Sequence, residues 1–272
     1  MKLTPKELDY LELYKGIHGA GKNLFPNAKE GSLWFYTIGL NYEAVNSFLT
    51  FVFDKTPALI KKINLRDLDY IMDMIFTLSD IACRYALENP EIDYRKLYRM
   101  EHKNNLNNYG EGGMTLSFKS TSKSSGEVEV FNTENSVGLA FDIDGYVPYI
   151  DVDNIVRSSV FSDEREILFP PCVVGMLNGQ EEVAGYDRHF AGVTLCDNFE
   201  DGEYLDTESY KASYEIAKPY FKAEIEKANE TGEISPELST YCTVVSSYIY
   251  SRLREMYNKY ANVYKENHGF SR

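Results

Sequence analysis

Basic residues are scarce in this 272-residue chain, with 28 Lys and Arg against 42 Asp and Glu and a formal net charge of −14. Gripping a phosphate backbone takes Lys and Arg, so the overall charge argues against unaided nucleic-acid binding. Only four cysteines occur, Cys83, Cys172, Cys196 and Cys242. They form no C-x-x-C pair and have no histidine at ligand spacing, which argues against a zinc site. A disulfide framework is not expected at this length, and buried free thiols are. The four histidines, His18, His102, His189 and His268, lie far apart and form no persuasive Ser/His/Asp order. No apolar run approaches the length of a membrane span. The segment Met1-Lys2-Leu3-Thr4-Pro5-Lys6-Glu7 lacks the apolar core of a signal peptide. The expectation is a protein soluble in the cytoplasm where it is made, or secreted by a route needing no cleaved signal.

Two motifs are near misses. Gly16 to Asn23 almost satisfies the phosphate-loop pattern, but Asn23 stands where a magnesium-binding hydroxyl belongs. The residues before it have helical spacing, so Gly16 and Gly19 read as a helix C-cap and turn. Asp142, Asp144, Asp151 and Asp153 lack EF-hand spacing and its terminal Glu, and read as a strand end and polar turn. No metal site is expected.

Hydrophobic residues make up 43% of the chain and tyrosine is abundant at 22. Such a composition is that of a globular protein. Residues 1–90 carry helical periodicity, opened by an N-cap at Thr4 with Pro5 at the first helical position. Residues 91–200 switch to short alternating runs between polar turns, with strands expected at 95–101, 114–121, 127–131, 137–144, 165–169, 172–177 and 189–195. Residues 201–272 return to helix, with a start at Ser235-Pro236-Glu237. The apolar stripe Val244-Val245, Tyr248-Ile249, Leu253 and Met256-Tyr257 is expected to pack into its own domain.

The run Ser162-Asp163-Glu164-Arg165-Glu166-Ile167-Leu168-Phe169-Pro170-Pro171 is the most informative stretch. It puts two carboxylates at the mouth of an apolar strand. Alternation on a strand gives Glu164 and Glu166 one face, and Ile167 and Phe169 the other. Upstream stand Tyr94-Arg95, Tyr98-Arg99 and Phe118-Lys119-Ser120-Thr121-Ser122. This order, over roughly residues 94–195, resembles the Arg/Ser-Thr-Ser/Glu-x-Glu mono-ADP-ribosyltransferase family. That family usually has Gly after Tyr-Arg, where this chain has Met100.

The resemblance implies an α+β fold, a mixed β-sandwich core with N-terminal and C-terminal helices. It implies NAD as co-substrate and Glu166 as the essential acid, stabilising an oxocarbenium-like ribose as nicotinamide leaves. Glu164 would orient or help deprotonate the acceptor. Arg99 would bind the NAD phosphates, to which a guanidinium is suited. Ser120 would support the nicotinamide ribose and the catalytic Glu, with Thr121 and Ser122 more structural. An aromatic packing on nicotinamide would be Phe131 or Phe141, with Phe131 preferred because it follows a Ser-Ser-Gly stretch. Phe161, in the Asn154–Asp163 segment, would recognise the acceptor.

In this family Glu-x-Glu goes with arginine acceptors, and an acidic protein would attract a guanidinium. The resemblance therefore implies transfer of ADP-ribose to a protein arginine, in a toxin or effector, with an inhibitor or antitoxin protein as a further partner. Two alternatives stay open: a same-fold transferase acting on nucleic acid or a small guanidino compound, and a catalytically dead binding module.

Overall fold

Thr4 opens the first helix, α1 (Pro5–Tyr14), with a reciprocal capping box. Its hydroxyl accepts from the Glu7 amide at 3.3 Å, and the Glu7 carboxylate accepts from the Thr4 amide at 2.7 Å. Gly16 follows at φ +72°, the left-handed turn expected there. Because a helix rather than a buried strand precedes Gly16, the phosphate-loop reading lacks its structural context. The structure is a computed structural model that describes residues 1–17, 20–27, 40–63, 68–90, 97–109, 114–143, 145–156, 165–183, 186–194 and 206–268.

Four further long helices follow, three of them capped in the same way. Asn41 caps α2 (Tyr42–Asp54) through the Ala44 amide, and Lys55 ends it in the left-handed region. Next comes α3 (Leu68–Glu88). After the strands, α6 (Thr207–Thr231) is capped by Asp206 and stopped by Gly232 at φ +76°, and α7 (Pro236–His268) is capped by Ser235. Two single-turn helices, α4 (Ser125–Val128) and α5 (Val152–Ile155), lie between strands.

Contacts divide the chain into two compact units. One comprises Met1, Ser79–Phe199 and Tyr257–Arg272; the other comprises Lys2–Leu78 and Glu200–Met256. The helices α3 and α7 each contribute residues to both units. The helical unit buries Leu11, Phe48, Phe51, Phe221 and Ile225, with Phe48 and Phe221 meeting edge to face at 6.4 Å. The stripe on α7 is buried as expected at Val245, Tyr248, Ile249 and Leu253.

The other unit is built on a seven-stranded mixed sheet: β1 (Leu97–His102), β2 (Lys119–Ser122), β3 (Ser136–Ile143), β4 (Ile150–Asp151), β5 (Glu166–Phe169), β6 (Val174–Val183) and β7 (Tyr186–Thr194). Their order is β4-β5-β2-β1-β3-β7-β6, antiparallel except for the β3–β7 pair. The fold class is therefore α+β. Residues 127–131, expected as a strand, are instead α4 followed by a 3-10 turn at Glu129–Phe131. Their apolar alternation imitates a strand, but Glu127 is tied to Ser122 and Arg165, which coils the segment over the end of β2.

One sheet face carries the apolar core: Leu97, Leu139, Phe141, Ile167 and Phe169, covered by Tyr85 and Ala86 of α3 and by Tyr260, Ala261 and Tyr264 of α7. Tyrosines do much of this packing while their hydroxyls satisfy backbone carbonyls. Tyr146 donates to Cys83 O, Tyr149 to Asn89 O and Tyr257 to Pro171 O, at 3.0, 2.7 and 2.7 Å. The abundance of tyrosine thus has a structural use here. Cys83, Cys172 and Cys242 are buried thiols in no disulfide; Cys196 lies outside the described residues.

Candidate active site

Directly opposed residues in an antiparallel pair share a face. Tyr98 on β1 pairs with Ser122 on β2, and Ser122 pairs with Glu166 on β5. One residue from each of the three motifs therefore forms a single cross-strand row, on the face opposite the apolar core. Glu166 is 3% exposed and Ser122 is 6% exposed. Ser120 pairs with Leu168, so it shares this face one step along, diagonal to Glu166. Thr121 points the other way and donates to Ile167 O at 2.9 Å, tying β2 to β5.

Arg165 precedes Glu166 with φ +47°, a left-handed conformation disfavoured for a residue that carries a Cβ. The strand β5 begins at Glu166. Glu164 and Phe161 lie outside the described residues, as do Tyr94 and Arg95.

A polar shell surrounds Glu166. Ser122 Oγ donates to Glu127 Oε2 at 2.8 Å and accepts from the Ser124 amide at 3.1 Å, while Glu127 Oε1 pairs with Arg165 Nε at 3.4 Å. Beneath, Lys123 Nζ and Asp151 Oδ2 make a buried ion pair at 2.6 Å, and Asn154 Nδ2 donates to the same oxygen at 2.7 Å. Asp151 Oδ1 is buried without a hydrogen-bond partner. Asp153 accepts a hydrogen bond from the backbone of Glu166. Its carboxyl is pushed above the usual range by burial, and further by Asp151 and Glu166, against the pull of Lys123.

Arg99, one residue on from Tyr98, belongs to the core face and sits at its rim. Its Nη1 donates to Ser120 O at 2.7 Å and its Nε to Glu101 Oε2 at 3.0 Å. Glu101 also meets Lys119 Nζ at 3.2 Å and accepts from Asn105 Nδ2 at 2.8 Å. Burial alone would raise the Glu101 carboxyl, but Arg99 and Lys119 outweigh it and hold the group at about 2. Lys119 is pushed down, because its burial outweighs the attraction of a carboxylate that it shares with Arg99.

Phe141 is buried in the core, 6.4 Å from Phe169 edge to face, whereas Phe131 is 65% exposed beside exposed Val130. Of the two aromatics considered, only Phe131 is available to a ligand. Met100 pairs with Gly138, so a large side chain faces a position without one. The sequence reading missed Glu101, Lys119, Glu127, Lys123 and Asp153. Only Arg99-x-Glu101 carried a signal, as a period-two charge pair on an expected strand.

No family model and no curated protein matches the chain. Among solved structures it is similar to the Vis toxin, an ADP-ribosyltransferase from Vibrio splendidus, at 17% identity over 72% of this chain and 86% of that one, with a TM-score of 0.37. It is similar to the C3 exoenzyme of Clostridium limosum, at 11% identity over 71% and 87%, with a TM-score of 0.41. It is also similar to BECa, an ADP-ribosylating toxin of a C. perfringens binary enterotoxin solved with NADH, at 15% identity over 89% and 65%, with a TM-score of 0.39.

Proposed function

We propose that this chain is an NAD-dependent mono-ADP-ribosyltransferase that modifies an arginine of a protein target, as a toxin or effector. The observation that carries the reading is the row Tyr98–Ser122–Glu166. Tyr98 and Ser122 stand 24 residues apart in the chain and Ser122 and Glu166 stand 44 apart, yet the three motifs meet on adjacent strands, one residue from each in register. In this reading Glu166 sets negative charge beside the ribose carbon as its bond to nicotinamide breaks. Nicotinamide leaves with the bonding electrons, a guanidino nitrogen of the acceptor bonds to that carbon, and the nitrogen gives up one proton.

Ser122 and Ser120 present hydroxyls on the same face as Glu166; the Ser122 proton goes to Glu127 and its oxygen is left to accept from the ribose, while Thr121 fixes β2 against β5. Phe131 is the exposed aromatic for nicotinamide. The resemblance gives the phosphates to Arg99, which is anchored by Glu101 and by the Ser120 carbonyl. The acceptor side is supported by electrostatics. Asp153 meets the Glu166 backbone and Glu127 meets Ser122 across from Glu166, which favours a cationic guanidinium. Asp153, with its raised affinity for protons, is suited to receive the departing proton.

The test measures nicotinamide release from NAD without acceptor, and label transfer from NAD to agmatine, to lysate proteins, to RNA and to DNA. The reading expects release, and transfer to agmatine and protein. Transfer confined to nucleic acid overturns the acceptor, and absence of both release and transfer overturns the enzyme.

A further inference from the structure

Arg188 on β7 pairs with Gly138 on β3, which pairs with Met100 on β1, so Arg188 stands on the same sheet face as Tyr98, Ser122 and Glu166. Its guanidinium carbon lies 5.3 Å from the Tyr98 ring centroid and 5.7 Å from that of Tyr186, and Nη2 donates to the Tyr186 hydroxyl at 2.9 Å. The site is built to receive these rings. A Cβ added to Gly138 would come within 2.5 Å of the Tyr186 ring, so a glycine is needed for the close approach. The only carboxylate paired with Arg188 among the described residues is Glu181, at 3.4 Å and at the rim, with 46% of its side chain exposed.

Resting on the ADP-ribosyltransferase reading, we infer that Arg188 is a second binding residue for NAD, gripping its diphosphate on the Glu166 face. Strands sit about 4.8 Å apart, so Tyr98, two strands from Glu166, lies roughly 10 Å along the row. In NAD the diphosphate follows the nicotinamide ribose, one sugar away from the bond that breaks. A guanidinium stacked over Tyr98 is thus set one sugar's reach from the acid. The planar fork of arginine matches phosphate oxygens, and flanking rings hold it without neutralising it. Arg99, by contrast, lies on the core face and already shares Glu101 with Lys119.

The experiment is calorimetric titration of the full chain with NAD and with ADP-ribose, which keeps the diphosphate and lacks nicotinamide. Arg188→Gln is expected to weaken both ligands by about ten- to a hundredfold, the range for a lost hydrogen bond to a charged group. Glu181→Gln is expected to bind NAD at least as tightly as the parent, because it removes a competitor for the guanidinium. A merely structural Arg188–Glu181 pair would make the two variants equally poor. Arg188→Lys, which keeps charge and stem but loses the fork, is read in its place if the Gln variant unfolds, and is expected to bind NAD severalfold more weakly. Parent-like NAD affinity in the folded Arg188 variant overturns this inference and leaves the enzyme reading standing. Failure of the parent chain to bind NAD overturns both.

Discussion

Ser122 lies directly across the β2–β5 pair from Glu166, while Ser120 stands diagonal to it, opposite Leu168. The resemblance gives the supporting role to Ser120, whereas this register favours Ser122. Ser122→Ala should reduce nicotinamide release from NAD more than Ser120→Ala does. Glu166→Gln keeps size and hydrogen bonding but removes the charge, and should lower release by about a hundredfold or more with the fold intact. Steady-state release assays on the three variants, with circular dichroism as the folding control, check both statements. A larger loss at Ser120 would return the supporting role to it.

Glu127 joins Ser122 to Arg165, the residue between the two acids of the third motif. It is a positioning residue in this reading, acting on Ser122 rather than on substrate. Glu127→Ala should lower kcat severalfold with a smaller change in KM, since of the NAD-binding groups it disturbs Ser122 alone. Glu127→Gln should recover most of the loss because the amide oxygen can still accept from Ser122. Equal damage from both variants would assign the effect to the exposed Arg165 pair instead.

Much of this arrangement was legible before any coordinates. Ile167 and Phe169 alternate against Glu166, and this alone separates core face from site face. Thr4-Pro5-Lys6-Glu7 writes its own capping box. The segment Glu127 to Phe131 misled because alternation over five residues fits an exposed strand as well as a coiled segment pinned by one side chain. Arg188 was invisible for a different reason. Its neighbours Tyr98 and Gly138 are brought beside it by strand register, and register between strands so far apart in the chain follows from the packed sheet rather than from any local pattern. The same holds for Lys119, which reads as a surface cation until β1 sets Glu101 beside it.

Glu101 makes acid sensitivity predictable. Its carboxyl falls from 4.5 to about 2 on folding, a difference on the order of 3 kcal/mol. The contribution of the whole cluster is smaller, because Lys119 is itself pushed down by burial. A carboxyl held low in the folded state stabilises fully above about pH 4.5, and loses that contribution progressively as pH falls toward 2. Denaturant midpoints measured between pH 6 and 3 should fall less steeply in Glu101→Gln than in the parent, while the variant is less stable at pH 6. Parallel curves would show that Glu101 does not carry the pH dependence.

Gly138 offers the sharpest test of the tyrosine–arginine arrangement. Alanine in place of a strand glycine ordinarily gains a few tenths of a kcal/mol to about 1 kcal/mol. Here the new Cβ would meet Tyr186 Cε2 at 2.5 Å and Cδ2 at 3.2 Å, so the ring must move. Gly138→Ala is therefore expected to destabilise by about 1–3 kcal/mol, the range for overpacking. Removing the ring removes the clash. In Tyr186→Ala the same Gly138→Ala change should be neutral or stabilising, which makes the two substitutions strongly non-additive. Chemical denaturation of the four proteins in the cycle measures the coupling. The ring also holds the Arg188 guanidinium, so Gly138→Ala should weaken NAD binding in the same direction as Arg188→Gln. Additive stabilities would mean that Tyr186 does not occupy the space above Gly138, and the support assigned to Arg188 would go with it.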